Sequence, residues 1–237
     1  MDLGPRTLAL TAVFTALVFA ATLISVSTPI TGGYFNLGES MVYTAALLGG
    51  PIVGGVAGGL GSSLADLYLG YSQYAPGTLV IKGIEGLLAG LIYDRLRRYE
   101  KVKGFTPILA LIIGLGILAA GMIIYGGIYG GATQIELWGR TYEIHIPSPA
   151  WLILAAIVSL AIIYTGEKRG PQAAAMTTAM LIAGMEMVAG YFIYEATILG
   201  YGISAAAEIP INIGQALIGA ATAFIIVNTI KEAQAQQ

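Results

Sequence analysis

Long stretches of this chain carry no charge at all. From Thr7 to Val26 about 20 consecutive residues are uncharged, and the runs Phe105 to Tyr129 and Ala150 to Thr165 are equally bare. A helix of about 20 apolar residues crosses about 30 Å of hydrocarbon. Runs of this length, repeated along one chain, call for a polytopic helical membrane protein. Composition removes the alternatives. Of the 237 residues 57% are hydrophobic and 10% charged, against about 25% charged in a soluble domain. A disordered chain needs the opposite balance. Net charge is -2 with 11 basic residues, so nucleic acid is not an expected partner. There is no cysteine, which excludes a disulfide or thiolate–metal scaffold. The first run exceeds the short apolar core of a signal peptide and by length alone could be a signal anchor; small residues line one of its faces, so it is read as a retained helix.

The few charges set the topology. Arg6, Arg95, Arg97, Arg98, Lys101, Lys103, Lys168, Arg169 and Lys231 make nine of the 11 basic residues. Placed on one side, they put both termini in the cytoplasm by the positive-inside rule. Helix 1 then ends outside near Thr28, and the run Thr78 to Asp94 begins outside. Glu39 to Leu69 must therefore be a helical hairpin turning at Gly49-Gly50-Pro51. Its first limb, about 11 residues, is short for a full span. Phe105 to Tyr129, Ala150 to Thr165, Gln172 to Leu199 and Ala206 to Ile230 follow, giving eight passes. Gln134 to Ile146 alternates in polarity on both sides of Gly139-Arg140, the period of an external β-hairpin. Pro147 and Pro149 close it.

Small residues recur at helical spacing. Gly50, Gly54 and Gly58 do so beside Gly55 and Gly59, and Gly86 and Gly90 repeat the pattern on the next pass. Close helix packing is the expected use. Ala12, Ala16 and Ala20 form a similar stripe on helix 1. That stripe suits either internal packing or a flat face for another membrane subunit.

Ionisable groups within the bilayer are costly, about 2.5–3.5 kcal/mol each on insertion scales, and mark functional sites by default. Lys82 and Glu85 stand three apart on one helix and can pair. Glu186 and Glu195 flank Tyr191 and Tyr194. Glu208, Asn212 and Gln215 share the last pass, and Asp66 lies near the end of the third. At about 1.5 Å per residue, Lys82 and Glu85 lie about 6 and 10 Å from Thr78, and Asn212 about 9 Å from Ala206. Three helices thus bring polar groups to one outer layer, the setting of a small-molecule pocket open to the outside. The aromatic loops Gly32 to Asn36 and Gly70 to Pro76, with Asn36 and Tyr74, lie above it as a lid. Plainer roles stand beside this. Lys82–Glu85 can be a structural ion pair. Glu208 and Asp66 suit interfacial or capping positions, and Asn212 and Gln215 can be interhelical hydrogen-bonding groups. No G-x-x-x-x-G-K-[ST] P-loop occurs, and the one histidine, His145, lies in the external loop. Neither an ATPase nor a Ser–His hydrolase is thereby encoded, and no cofactor or metal site is expected.

The stretch FNLGESMVYTAALLGGPIVGGVAGGLGSSLADLYLGYSQYAPGTLVIKGIEGLLAGLIYDRL, Phe35 to Leu96, resembles substrate-binding S components of energy-coupling factor (ECF) vitamin transporters. So does Gly190 to Ala220, with its E-x-P-x-N-x-x-Q pattern, and so does the Ala12, Ala16, Ala20 stripe. The resemblance implies a subunit that captures a water-soluble vitamin or precursor from outside, energised by a transmembrane coupling subunit and two cytoplasmic ATPases. It implies docking of the coupling subunit on the alanine face. It also implies a pocket built from the helices carrying Lys82 and Glu85, Glu186 to Glu195, and Asn212, with the loops after helices 1 and 3. The family's usual six helices leave residues 105–167 as an inserted helix pair with an external loop at 130–149, within a single membrane domain, 1–237. Its hairpin would shield the pocket or touch a second protein.

The expected site is thus Asn36, Tyr74, Lys82, Glu85, Glu186, Tyr191, Tyr194, Glu195, Asn212 and Gln215. The expected ligand is riboflavin, a thiamine or pyridoxine precursor, or pantothenate, taken up across a prokaryotic plasma membrane. The competing readings are a stand-alone proton- or cation-coupled carrier using Glu85, Glu186 and Glu195, and a structural membrane protein with internal ion pairs.

Overall fold

The computed structural model describes residues 4–28, 32–128, 132–137 and 140–236. Eight α-helices dominate, α1 (Pro5–Thr22), α2 (Gly38–Gly49), α3 (Pro51–Leu69), α4 (Ala75–Leu96), α5 (Thr106–Ala119), α6 (Ser148–Lys168), α7 (Pro171–Ile193) and α8 (Glu208–Ala235). Helix α5 runs on as a π-helix, Ala120–Ile128, and α7 as a π-turn, Tyr194–Ile198. Among the described residues, seven helices are long and apolar enough to cross a membrane. The eighth, α2, has 12 residues, about 18 Å at helical rise. The expected eight passes are therefore seven full-length helices plus a short inward limb. Most of α2 is buried, so its neighbours, and not lipid, cover it.

Two chain breaks have evident causes. Gly50 takes φ 87°, a left-handed conformation that suits glycine, and Pro51 opens α3 at a position where a missing N–H costs nothing. Helix α1 stops at Thr22, short of the Val26 expected from hydropathy. The Thr22 hydroxyl donates back to the Val18 carbonyl at 2.8 Å, and Ser25–Thr28 become strand β1. Hydropathy extended the helix because Leu23, Ile24 and Val26 are apolar. The β-branched and hydroxyl residues there pair instead with β2 (Gly33–Asn36), where the sequence predicts an aromatic loop.

The predicted hairpin is present as β3 (Ala132–Leu137) and β4 (Arg140–His145), antiparallel from Ala132↔His145 to Leu137↔Arg140. Its turn, 138–139, lies outside the described residues. Through Ser27↔Glu136, β3 joins β1, so one four-stranded sheet runs β2-β1-β3-β4. Both hairpins thus occupy one end of the bundle. At the other end, Lys231 of α8 donates to the Tyr93 hydroxyl of α4 at 2.5 Å, and Gln172 of α7 donates to it at 3.2 Å.

Glycine sets the closest helix contact. A Cβ on Gly54 would lie 2.7 Å from the Gly86 carbonyl, and one on Gly58 2.7 Å from the Lys82 carbonyl. Helices α3 and α4 therefore meet backbone to backbone, the packing expected of these repeats. The alanine stripe behaves differently. Helix α1 buries Phe14, Val18 and Thr22, while Ala12, Ala16 and Ala20 point outward. The internal-packing alternative for that stripe is thus excluded. Helices α5 and α6 pair through Gly114 against Ser159 and Gly166 against Thr106, and lean on α7 at Leu181.

Candidate functional site

Helix α4 presents two faces. Gly83, Gly86 and Gly90 meet α3, while Lys82, Glu85, Ala89 and Tyr93, at three- and four-residue steps, turn into the bundle and are all buried. The predicted pair forms, with Lys82 Nζ 3.0 Å from Glu85 Oε2. A second partner was not foreseen. Glu39, at the start of α2, takes a hydrogen bond from the same ammonium. Tyr43, one turn along α2, donates to Glu85 Oε1 at 2.7 Å. The ammonium also lies 5.5 Å from the centre of the Tyr191 ring. One cation is thus held between two carboxylates and an aromatic face, sealed from lipid.

Hydrogen bonds continue from this ion cluster to the sheet. Gln215 of α8 donates from Nε2 to Glu39 Oε1 at 2.5 Å, and its Oε1 accepts the Asn36 backbone N–H at 2.8 Å. Asn36 closes β2 and accepts the Gly38 N–H on its side-chain oxygen at 2.8 Å, fixing the entry into α2. A glutamine on the last helix therefore ties the β1–β2 hairpin to the buried lysine cluster.

Beside this chain of bonds lies a polar chamber. Its walls include Asn36, Tyr74, Tyr191, Glu195, Asn212 and Gln215, all expected from sequence, together with Tyr34, Asp66, Thr78 and Glu208. The enclosed space is about 30 Å³, little more than room for one water. Tyr34 donates to Asp66 Oδ1, and Tyr191 donates to Thr78 Oγ1 at 3.0 Å. The roof is aromatic. The Tyr34 and Tyr71 rings stand 4.5 Å apart, and the Tyr71 hydroxyl meets Ser27 of β1 at 3.0 Å. Burial, then the adjoining Asp66 carboxylate, pushes the Tyr34 phenol well above its ordinary range. Burial and the Glu195 carboxylate do the same to Tyr74. Both therefore remain neutral hydroxyls.

The predicted residues divide by place. Lys82 and Glu85 form the floor below the chamber. Glu186 stands apart from the lining, half-buried on α7, with Oε2 lacking a hydrogen-bond partner among the described residues. Tyr194 is also outside the lining; its hydroxyl donates to the Gln73 carbonyl at 2.8 Å and its ring packs on Gly77, bracing the segment before α4. Asp66 and Glu208, read as interfacial or capping, are buried and face the chamber. The reason is tertiary. Tyr34 of β2 bonds Asp66, and Tyr74 before α4 shares the chamber lining with Glu208, so tertiary neighbours cover helix ends that hydropathy places at the surface. Tyr34 and Glu39 carried no sequence signal beyond lying in the aromatic segment and at a helix start.

A larger cavity of about 380 Å³ lies between α5, α7 and α8. Ile112, Leu181, Val188, Ile213 and Leu217 are typical of its walls, and it offers no polar side chain to orient a polar ligand. On the outer surface, Thr11, Ala12, Thr15 and Ala16 of α1 form an apolar groove with Leu60, Leu64 and Tyr68 of α3.

Comparison with known proteins supplies independent information. The family model for the ECF-type riboflavin transporter S component matches residues 3–146. An uncharacterised protein of Pyrococcus woesei is 38% identical over 117 residues, 49% of this chain and 77% of its own. The thiamine precursor transporter HmpT of Lactococcus lactis subsp. cremoris (strain MG1363) is 31% identical over 169 residues, 70% of this chain and 92% of its own. No solved structure matches.

Proposed function

Because the chain belongs to the family of ECF-type riboflavin transporter S components, we propose that its polar chamber is the binding site for a water-soluble vitamin or vitamin precursor taken up across the membrane. The observation that carries this reading is convergence. Side chains from β2, α3, α4, α7 and α8 meet in one buried polar space under the sheet, although the seven membrane helices could satisfy their backbones without it. Such groups are expensive in a bilayer and are retained where they bind something. Riboflavin, named by the family, and a thiamine precursor, named for the Lactococcus relative, are both nitrogen heterocycles. The tyrosine-lined walls suit such rings.

Asn36, Asn212 and Gln215 supply amide donors and acceptors to the ligand, Tyr74 and Tyr191 aromatic contact, and Glu195 a charged acceptor. Lys82 and Glu85 hold the floor in register, and Tyr194 the segment above. Because the space encloses little more than one water, the ligand enters by displacement of the roof formed by β1, β2 and Tyr71. Energy comes from a separate coupling subunit with two ATPases, as membership of the S-component family implies. The groove of α1 and α3, with Ala12, Ala16 and Ala20 on its exposed side, is the docking face for the coupling subunit. Residues 105–167 are an accessory pair whose hairpin extends the roof. The positive-inside rule puts both termini in the cytoplasm and the sheet outside; the membrane in this reading is a prokaryotic plasma membrane.

The test is equilibrium binding of water-soluble vitamins and their precursors to the purified, folded chain. A ligand with Kd below about 1 µM, about -8 kcal/mol, is expected. No such ligand from a folded sample contradicts the proposal.

A further inference from the structure

We infer that an anionic phospholipid seats on the outer side of α4, its acyl chain along an apolar stripe and its phosphate in an arginine pocket between the ends of α4 and α7. The inference rests on the membrane placement of the helices and is independent of what the chamber binds. Helix α4 has a third side, turned neither to α3 nor into the bundle. Ile84, Leu87 and Leu91 stand on it at three- and four-residue steps and are 41, 38 and 44% exposed. Arg95 and Arg98 continue the same steps and are exposed. From Ile84 to Arg95 the helix rises about 16 Å, about half of a 30 Å hydrocarbon layer. The stripe is thus as long as one leaflet is thick, and it ends in two guanidinium groups.

The pocket lies at that end of the bundle, opposite the sheet. Arg97, Arg98 and Tyr99 form one wall and Pro171 and Gln172 the other, around about 570 Å³. Arg97 is held in place. Its Nη2 lies 2.9 Å from Asp94 Oδ1, and its guanidinium lies 5.5 Å from the centre of the Tyr93 ring. One carboxylate oxygen leaves most of a guanidinium's donors unused. Lys231 stands close by, 4.8 Å from the centre of the same Tyr93 ring. The segments 94–103, 167–172 and 231–232 together carry eight basic and four acidic residues, so this end is a net positive surface.

Charge and apolar surface together select the occupant. An arginine fork fits a phosphate through paired N–H bonds. Free phosphate would satisfy the arginines and leave the stripe beside them bare, and so would an acidic protein surface. An anionic lipid covers both. Tyr99, 62% exposed beside the arginines, suits the headgroup layer, where tyrosine concentrates. On the proposed topology this end faces the inner leaflet, whose anionic lipids attract basic clusters. Seated there, the lipid ties the end of α4 to the start of α7 from outside.

Native mass spectrometry of the purified full-length chain, delipidated in neutral detergent, tests this by titration. The probes are dioleoyl-phosphatidylglycerol, dioleoyl-phosphatidylcholine, whose choline offsets the phosphate, and glycerol 3-phosphate, which has no acyl chain. Phosphatidylglycerol is expected to bind at least about fivefold tighter than either of the others. Arg98→Gln should weaken it about fivefold, the share of one basic residue at a membrane surface. Arg6→Gln removes the same charge from α1, away from the pocket, and should change the affinity less than about twofold. If Arg98→Gln does not fold, the ranking of probes on the unaltered chain decides. Equal affinity for the two lipids, or equal losses in Arg98→Gln and Arg6→Gln, overturns the inference in favour of general charge attraction. Glycerol 3-phosphate binding as tightly as phosphatidylglycerol overturns it in favour of a free-phosphate site. Capture of a penta-glutamate peptide through Arg98 by a chain that ignores phosphatidylglycerol overturns it in favour of an acidic protein partner.

Discussion

Lys82 shows what one residue does here. Its ammonium bonds Glu39 from α2 and Glu85 from its own helix, and Gln215 bonds Glu39 from α8. Three helices are therefore locked at one buried charge. Removing one member of a buried pair leaves an uncompensated charge, typically at a cost of about 3–5 kcal/mol. Lys82→Met should therefore destabilise the chain by about that much, read as a lower unfolding midpoint in detergent. Adding Glu39→Gln and Glu85→Gln should recover part of it. A Lys82→Met chain as stable as the parent would contradict the structural role. Half of this cluster was legible in sequence. Lys82 and Glu85 stand at an i, i+3 spacing that any helix brings together. Glu39 lies 43 residues from Lys82, and only the folding of α2 against α4 joins them.

At the level of elements, glycine patterns were the most readable signal and strands the least. The repeats around Gly54, Gly58 and Gly86 announced close packing, and α3 and α4 do meet backbone to backbone. Gly116 is a contrast, because a Cβ there meets nothing within 4 Å. Gly116→Ala should therefore be neutral or stabilising by up to about 1 kcal/mol through helix propensity. Gly86→Ala should lose folded yield and lower the unfolding midpoint, because its Cβ would run into the Gly54 backbone. Equal behaviour of the two variants would contradict the assigned packing. The β3–β4 hairpin was visible because its polarity alternates on both sides of a turn. The β1–β2 hairpin was not. Its strands are four residues each, β1 continues an apolar helix without a break in hydropathy, and its pairing to β3 depends on a segment more than 100 residues away.

The whole molecule separates two surfaces. The chamber lies inside, under the sheet, and the α1–α3 groove with its alanine stripe lies outside. The sequence located both regions through charge depth and small-residue spacing. It did not decide whether the alanines face in or out, because periodicity places residues on a common face without saying what that face meets. Packing decides it, since Phe14 and Val18 take the inward side of α1. On the proposed function, substitution should separate ligand binding in the chamber from docking at the groove. Ala16→Trp fills the groove without touching the chamber, whereas Asn212→Leu places an apolar side chain in the chamber wall. Native mass spectrometry of the small molecule that co-purifies with each form tests the central claim most directly. A heterocyclic vitamin or precursor is expected on the parent chain, the same ligand on Ala16→Trp, and its loss from folded Asn212→Leu. A ligand retained in full by Asn212→Leu, or none on the folded parent chain even after incubation with vitamins, would contradict it.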